Sequence, residues 1–332
     1  MSNFWKSARR WLPGVLISLA AIAALLYFVD LKELLAALQR ADGRFLAAAL
    51  FVSTAWVFVR GTVWRALLQN RASYRHVFLT VCEGYLLNNF FPFRLGEVGR
   101  AFLISRKSEV GFIDALSTIV IERVLDLTYS AAVLLVGVGF LVQADGAEAV
   151  AYLIGGAMLA GLMLLYLLAR NRGWALARFE RLSRRWPVLE RRGGQFLASF
   201  FAGLEVLTNG RRFLTVLGLM TLNWGIAVLQ FFLYIRAFFP AARWTWAVFG
   251  LGATAFGNAI PSLPGAVGTF EGAFAGALTL LSGNEAAAFA AALTSHLAGY
   301  FINGVLGVYA FSTEGETLLG VYRQLRQRQE RG

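Results

Sequence analysis

The sequence is short of charge, of cysteine and of histidine, and each shortage removes a class of protein. Only 15% of the 332 residues are charged, whereas soluble domains run near a quarter, so a water-soluble globular fold is excluded. The single cysteine, Cys82, leaves no intramolecular disulfide and no thiolate metal site. The two histidines, His76 and His296, lie far apart, and nothing near either has metal-ligand spacing. No nucleotide-binding loop or nucleophile–base pairing stands out, which reads as a non-enzyme without cofactor or metal. Short segments of alternating polarity, the mark of a membrane β-barrel, are lacking too.

Apolar sequence is what the chain has in quantity: 58% hydrophobic residues and a mean hydropathy of +0.60. A bilayer core of about 30 Å takes about 20 apolar residues per helix. Several runs reach that length, which predicts an all-α polytopic membrane protein forming one integral membrane domain over 1–332. Full spans are expected at 12–29, 45–64, 112–142, 149–169, 213–239 and 286–311. The net charge of +12 would suggest nucleic acid in a soluble protein. Here the arginines fall mostly between apolar runs, as the positive-inside rule produces, so no nucleic-acid partner is expected. The basic connector 170–212, the basic tail 312–332 and both termini are placed on the cytoplasmic side. Trp174, Phe179, Leu182 and Trp186 on spaced connector positions fit amphipathic helices on an anionic leaflet or a solvated basic loop.

Between the second and third of these spans the chain stops behaving like a membrane helix. The apolar stretch 77–92 is short for a crossing and breaks at Asn89, Pro92, Arg94, Gly96, Glu97 and Arg100. The same shape returns 169 positions later, pairing Asn89 with Asn258, Pro92 with Pro261, Gly96 with Gly265 and Gly99 with Gly268. Proline lacks an N–H and glycine tolerates unusual dihedrals, so both motifs unwind helix. Freed backbone at membrane depth is tolerated only inside protein or along a wet cavity. The charge rule has the first hairpin entered from the cytoplasm and the second from outside. Repeat 1 (about 77–142) and repeat 2 (about 244–311) are therefore expected to be inverted, giving about six full spans plus two re-entrant or broken hairpins. Inverted repeats of broken helices recur in transporters with the substrate near the midplane; simple packing kinks are the plain alternative. Half-helices beginning near Gly96 and Gly265 would aim positive ends inward and favour an anion.

Charge inside the spans marks candidate substrate contacts. Glu122 and Asp126 share a helix face, with Arg123 about 100° round, and such residues face the bundle interior and pair. Arg123 either takes an anionic substrate or neutralises Glu122, Asp126 or Glu97. Arg94 and Arg100 either join it or anchor the hairpin at the cytoplasmic edge. At an offset of 173 positions Arg123 aligns with His296, which reads as a helix–helix hydrogen bond or as a proton-coupling group. Glu271, in the first turn after Gly268, either complements a helix N-terminus or gates. Pro264 joins the second motif. Arg60, flanked by Trp56 and Trp64 at four residues either side, reads as a paired or cation–π residue of the scaffold.

At these residues the sequence resembles the flippase-type membrane domain of lysylphosphatidylglycerol synthases (multiple peptide resistance factor), a domain found also as a stand-alone inner-membrane protein. Asn89, Pro92, Arg94, Gly96-Glu97 and Arg100 are similar to one family motif, and Glu122-Arg123 with Asp126 to another. Pro264-Gly265-Ala266-Val267-Gly268-Thr269-Phe270-Glu271 resembles a Pro-Gly-Gly-x-Gly-x-x-Glu segment, with Ala266 in place of a common glycine. His296 stands where the resemblance leads one to expect arginine. The resemblance covers nearly the whole chain and implies a lipid translocase of the bacterial cytoplasmic (inner) membrane. Its cargo would be a phospholipid, an aminoacyl-phospholipid, a polyprenyl phosphate or a hopanoid-type lipid. A second copy of the chain or a lipid-synthesis enzyme are candidate partners. Lysyl transfer is not implied, because 170–212 is too small to fold as a catalytic domain. Two other functions fit the residues: a proton-coupled carrier for a small anion, and a non-transporting membrane subunit for a lipid-modifying enzyme.

Overall fold

The computed structural model describes residues 31–91, 95–141, 170–183, 209–258 and 264–314, with single helical positions at 156, 167 and 201. The expected span 12–29, nearly all of 149–169 and the tail from 315 lie outside the described residues. Among the described residues there are ten helices and no strand, in keeping with the all-α expectation.

A short helix, α1 (Leu31–Arg40), leads into α2 (Gly43–Leu67), which starts where the Asp42 carboxylate accepts the Arg44 amide. The first hairpin is α3 (Tyr74–Phe90), capped by the Ser73 hydroxyl, and α4 (Leu95–Lys107); the long α5 (Phe112–Leu141) follows. The basic connector contributes α6 (Arg172–Ser183), with Trp174 exposed and Arg178 over its ring. Then come α7 (Gly210–Phe238), capped by Asn209, and the second hairpin, α8 (Trp244–Gly257) and α9 (Thr269–Ser282). The long α10 (Glu285–Glu314) closes the described fold.

Lengths divide these helices into two kinds. The helices α2, α7 and α10, at 25, 29 and 30 residues, are long and apolar enough to cross a membrane; α5 also has 30 residues. The hairpin arms α3, α4, α8 and α9 have only 17, 13, 14 and 14 residues. At 1.5 Å per residue each arm is about 20–26 Å long, less than a hydrocarbon core of about 30 Å. The long helices carry exposed apolar stripes: Leu297, Phe301, Val305 and Val308 on α10, and Leu214, Leu222 and Leu229 on α7. Stripes of this size are a liability in water and the expected outer surface in lipid.

The helices pair in a reciprocal pattern. Hairpin arms pack on each other, α2 packs along α7, α5 packs on α8, and α10 packs on α3. Each long helix that follows a hairpin thus lies against the first arm of the other hairpin. Small residues set the approach. A Cβ placed on Gly252 of α8 would lie 2.6 Å from the Leu134 Cα of α5, and one on Gly307 of α10 would lie 2.5 Å from the Leu86 Cβ of α3. In α10 the alanines from Ala286 to Ala292 are buried and let α9 come close. Without a hydrophobic driving force between lipid-embedded helices, such close van der Waals packing carries association.

Gly307→Leu is expected to lower thermal stability in detergent by about 1–3 kcal/mol, the usual cost of overpacking. Gly218→Ala, at an exposed helical position with open space around it, should leave the melting temperature unchanged or slightly raised.

Candidate functional site

In the first hairpin α3 ends at Phe90 and α4 begins at Leu95, and a side chain joins the two arms. Asn88, in the last turn of α3, accepts the Gly96 amide of α4 at 2.8 Å, satisfying one of the amides that a helix start leaves unpaired. The arms touch so closely at Gly84 that a Cβ there would run into the stem of Arg100, and one on Gly96 would strike the Gly84 carbonyl. Arg100 is thereby threaded between the arms, its guanidinium 4.1 Å from the Trp64 ring centroid.

Six ionised side chains meet beside this hairpin. Glu122 of α5, fully buried, accepts from Arg100 at 2.9 Å and 3.2 Å, from Arg123 at 3.1 Å and from Arg60 of α2. Arg60 also holds both oxygens of Asp126 and reaches Asn223 of α7 at 3.4 Å. Arg123 pairs with Asp126 at 2.9 Å and lies 3.6 Å from Glu97, in the first turn of α4. Three guanidiniums face three carboxylates, so the cluster is neutral. Neutrality matters at this depth, since an unpaired buried charge is far more costly than a paired one. Arg60, Arg100 and Glu122 are at most 2% exposed, whereas Arg123 is 30% exposed, Asp126 18% and Glu97 20%. Arg123 thus has the most exposed side chain of the three arginines in this cluster.

The second hairpin has no arginine at the matching place. Its tip is a 3₁₀ turn, Pro264–Ala266, and α9 begins only at Thr269 because Gly265, Ala266 and Gly268 all have positive φ (71°, 62° and 87°). Gly265 admits no Cβ, since the Tyr300 hydroxyl sits in that space. Ala266 does carry a Cβ in the left-handed region, which costs about 1–2 kcal/mol. Contacts from outside the turn hold it. Glu271 accepts the Gly268 amide at 2.7 Å, Tyr300 donates to the Pro264 carbonyl at 3.0 Å, and His296 lies 2.7 Å from Glu271 and 2.9 Å from the Gly265 carbonyl. Phe270 stacks on the His296 ring at 4.3 Å.

Two pairs correspond across the halves. Glu97 and Glu271 each sit in the first turn of a hairpin's second arm. Their partners Arg123 and His296 are separated by the same 173 positions seen in sequence.

Of the residues singled out in sequence, the structure brings Glu97, Arg100, Glu122, Arg123 and Asp126 into one cluster and Pro264, Gly265, Gly268, Glu271 and His296 into another. Asn89 lies in the last turn of α3 and Asn258 follows α8. Pro92, Arg94 and Pro261 lie outside the described residues. Sequence reasoning left Arg60 in the scaffold, and it proves to be paired, as a member of the first cluster. It passed over Asn223, Asn88, Tyr300 and a third pair, Lys107 with Glu83 at 2.8 Å and Glu314 at 3.4 Å. Among the described residues no three His, Cys, Asp or Glu side chains converge as a metal site would need.

Glu122→Gln is expected to destabilise the protein by about 3–5 kcal/mol, because it leaves three guanidiniums facing a neutral amide. Arg123→Gln should cost clearly less, since this side chain is partly exposed and its carboxylate partners Glu122 and Asp126 each keep another arginine. Chemical or thermal unfolding in detergent reads both.

Comparison with known proteins places the chain among membrane proteins. Residues 11–307 match the family model described as the lysylphosphatidylglycerol synthase TM region. A UPF0104 membrane protein of Methanothermobacter thermautotrophicus is 23% identical over 92% of this chain and 95% of its own. Another, from Methanocaldococcus jannaschii, is 26% identical over 42% of this chain and 43% of its own. Glycosyltransferase AglD of Haloferax volcanii is 25% identical over 89% of this chain but only 53% of its own length. The chain thus spans about half the length of two of these archaeal relatives, and nearly all of the third. It belongs to the family of membrane proteins defined by the lysylphosphatidylglycerol synthase transmembrane region.

Proposed function

We propose that the chain is a lipid translocase whose two hairpins form inverted repeats around a headgroup path. The observation that carries this reading is the reciprocal packing of two broken hairpins beside a neutral ion cluster with one partly exposed arginine, Arg123. Arms of 13–17 residues suit re-entrant hairpins better than crossings. The correspondence of the two halves extends to their crossings. Leu134 meets Gly252, and Gly307, which stands 173 positions after Leu134, meets Leu86 and the Cys82 carbonyl, either side of the position 169 before Gly252. Repeat 1 is then about 77–142 and repeat 2 about 244–311, joined by the basic connector 170–212 and ended by the tail 312–332.

In this reading a phosphate-bearing headgroup meets Arg123, and Arg94 from the hairpin tip, while its tails stay in lipid. Arg100 and Arg60 are fixed on Glu122 and hold the scaffold. Rocking of one repeat against the other would expose the path to each leaflet in turn. The setting we assign is a bacterial inner membrane with both termini cytoplasmic. A second reading draws on one observation: the relative named a glycosyltransferase has a further half beyond this region. There the membrane part would serve a lipid-modifying enzyme without moving lipid. It would make surface changes on 170–212 disabling and Arg123 changes harmless, the reverse of the translocase reading.

Purified protein in vesicles carrying fluorescent phosphatidylglycerol, phosphatidylethanolamine or a polyprenyl phosphate should exchange at least one of these between leaflets faster than protein-free vesicles. Arg123→Ala and Arg94→Ala should each slow it about tenfold or more, the worth of a hydrogen bond to a charged group. Exchange equal to protein-free vesicles across the whole panel would contradict the translocase reading.

A further inference from the structure

The tip of the second hairpin is latched by a pair of groups that must share a proton. A neutral imidazole carries one N–H and one lone pair. In His296 both ring nitrogens face acceptors, Glu271 Oε1 at 2.7 Å and the Gly265 carbonyl at 2.9 Å. A carbonyl oxygen only accepts, so Nε2 carries a hydrogen. The short contact from Nδ1 to Glu271 then needs a second proton between them, on the ring or on the carboxyl. With that proton the pair is neutral; without it a lone pair faces a carboxylate and the pair carries a negative charge. In a poorly solvated site this difference is large, and moving the two groups apart relieves it.

The turn itself resists the closed shape, with Ala266 held at positive φ. It stays closed through His296, Tyr300 and Glu271, and it packs on α3 of the other hairpin. The first half offers a comparison on the same scaffold. There the position equivalent to His296 is Arg123, which faces Glu97 and keeps its charge at any physiological pH. Only the second half uses a residue type that can lose its proton near neutrality.

The geometry points to Glu271–His296 as a proton-binding site that latches the second hairpin. With the proton bound, His296 bridges Glu271 and the Gly265 carbonyl and the tip is closed on α10; with the proton released to water, the tip is free. The ionisable groups facing His296 are Glu271 from α9 and Tyr300, one turn on along α10, whose hydroxyl is spent on Pro264. On the neighbouring elements, Glu83 of α3 is held by Lys107, and Arg60 of α2 by Glu122 and Asp126. Coupling of this latch to lipid movement rests on the translocase reading; the latch itself does not.

The chain has only two histidines, so His76→Gln, at the end of α3 away from the tip, leaves His296 as the sole reporter. In nanodiscs, ¹⁵N-histidine spectra across a pH series should pass from two protonated ring nitrogens to one as the pH rises. Over the same range, maleimide labelling of Val267→Cys, in a Cys82→Ala background and relative to Gly210→Cys, should rise about tenfold, and His296→Gln should abolish that rise. Spectra unchanged across the range, or a change without altered relative labelling, would overturn the latch. In vesicles, a pH step in phospholipid exchange present in the wild type and absent in His296→Gln supports coupling; the same step in both overturns it. Absence of any exchange counts against the translocase reading alone, because spectra and labelling decide the latch.

Discussion

Glu122 is the point on which the rest of the described structure depends. It has no exposure to solvent and takes guanidiniums from three places on the chain, Arg60, Arg100 and Arg123. A carboxylate at that depth is tolerable only with such partners. Satisfying it draws α2, α4 and α5 together and, through Arg60 and Asn223, reaches α7. The requirement propagates into sequence that looks unrelated to charge. Gly84 is small because the Arg100 stem must pass it, Gly96 because the Gly84 carbonyl and Asn88 lie against it, and Trp64 is buried beneath that same guanidinium. A neutral, sealed cluster is a poor place for a substrate to bind outright. Its value to the proposed path is to hold Arg123 at its partly exposed edge, with its position fixed and its charge permanent.

The two halves solve one backbone problem with different chemistry. Among the described residues only the second hairpin breaks helix with glycine, Gly265 and Gly268 having positive φ. Gly96 and Gly99 lie inside α4, against the expectation that both motifs unwind. Both hairpins place a glutamate in the first turn of the second arm. In the first half that glutamate faces arginine, whose charge is constant, and the arms are joined through Asn88 and the Gly96 amide. In the second it faces histidine, and the tip is held by hydrogen bonds to backbone carbonyls at Pro264 and Gly265. The first half therefore carries the charge suited to a headgroup. The second carries the more conditional contact, in a turn whose own dihedrals work against it.

Much of this was readable in the chain. The breaks at Pro92 and at Pro264–Gly268 follow from residues that cannot continue a helix, and the pairing of Arg123 with Glu122, Asp126 or Glu97 follows from the cost of lone charge in lipid. The alanine standing where a glycine is common, Ala266, marked a turn that does prove to need positive φ. Arg60 shows where such reading stops. Its flanking tryptophans gave its depth and its need for a partner, but those partners lie 62 and 66 positions away on another helix. No helical period reaches that far. The crossings at Gly252 and Gly307 were hidden for the same reason, since a glycine in an apolar run looks alike whether it faces lipid or a neighbouring backbone. Lys107 and Glu83 stand 24 positions apart, and only the folded hairpin makes them neighbours.

The claim that the two hairpins enter from opposite faces is the one the translocase reading rests on. It is tested most directly by single cysteines at Phe93 and Ser262, in a Cys82→Ala background, labelled with a membrane-impermeant maleimide in right-side-out and inverted vesicles. The account predicts that Phe93→Cys labels from the cytoplasmic face and Ser262→Cys from the opposite face. Labelling of both from the same side would contradict it.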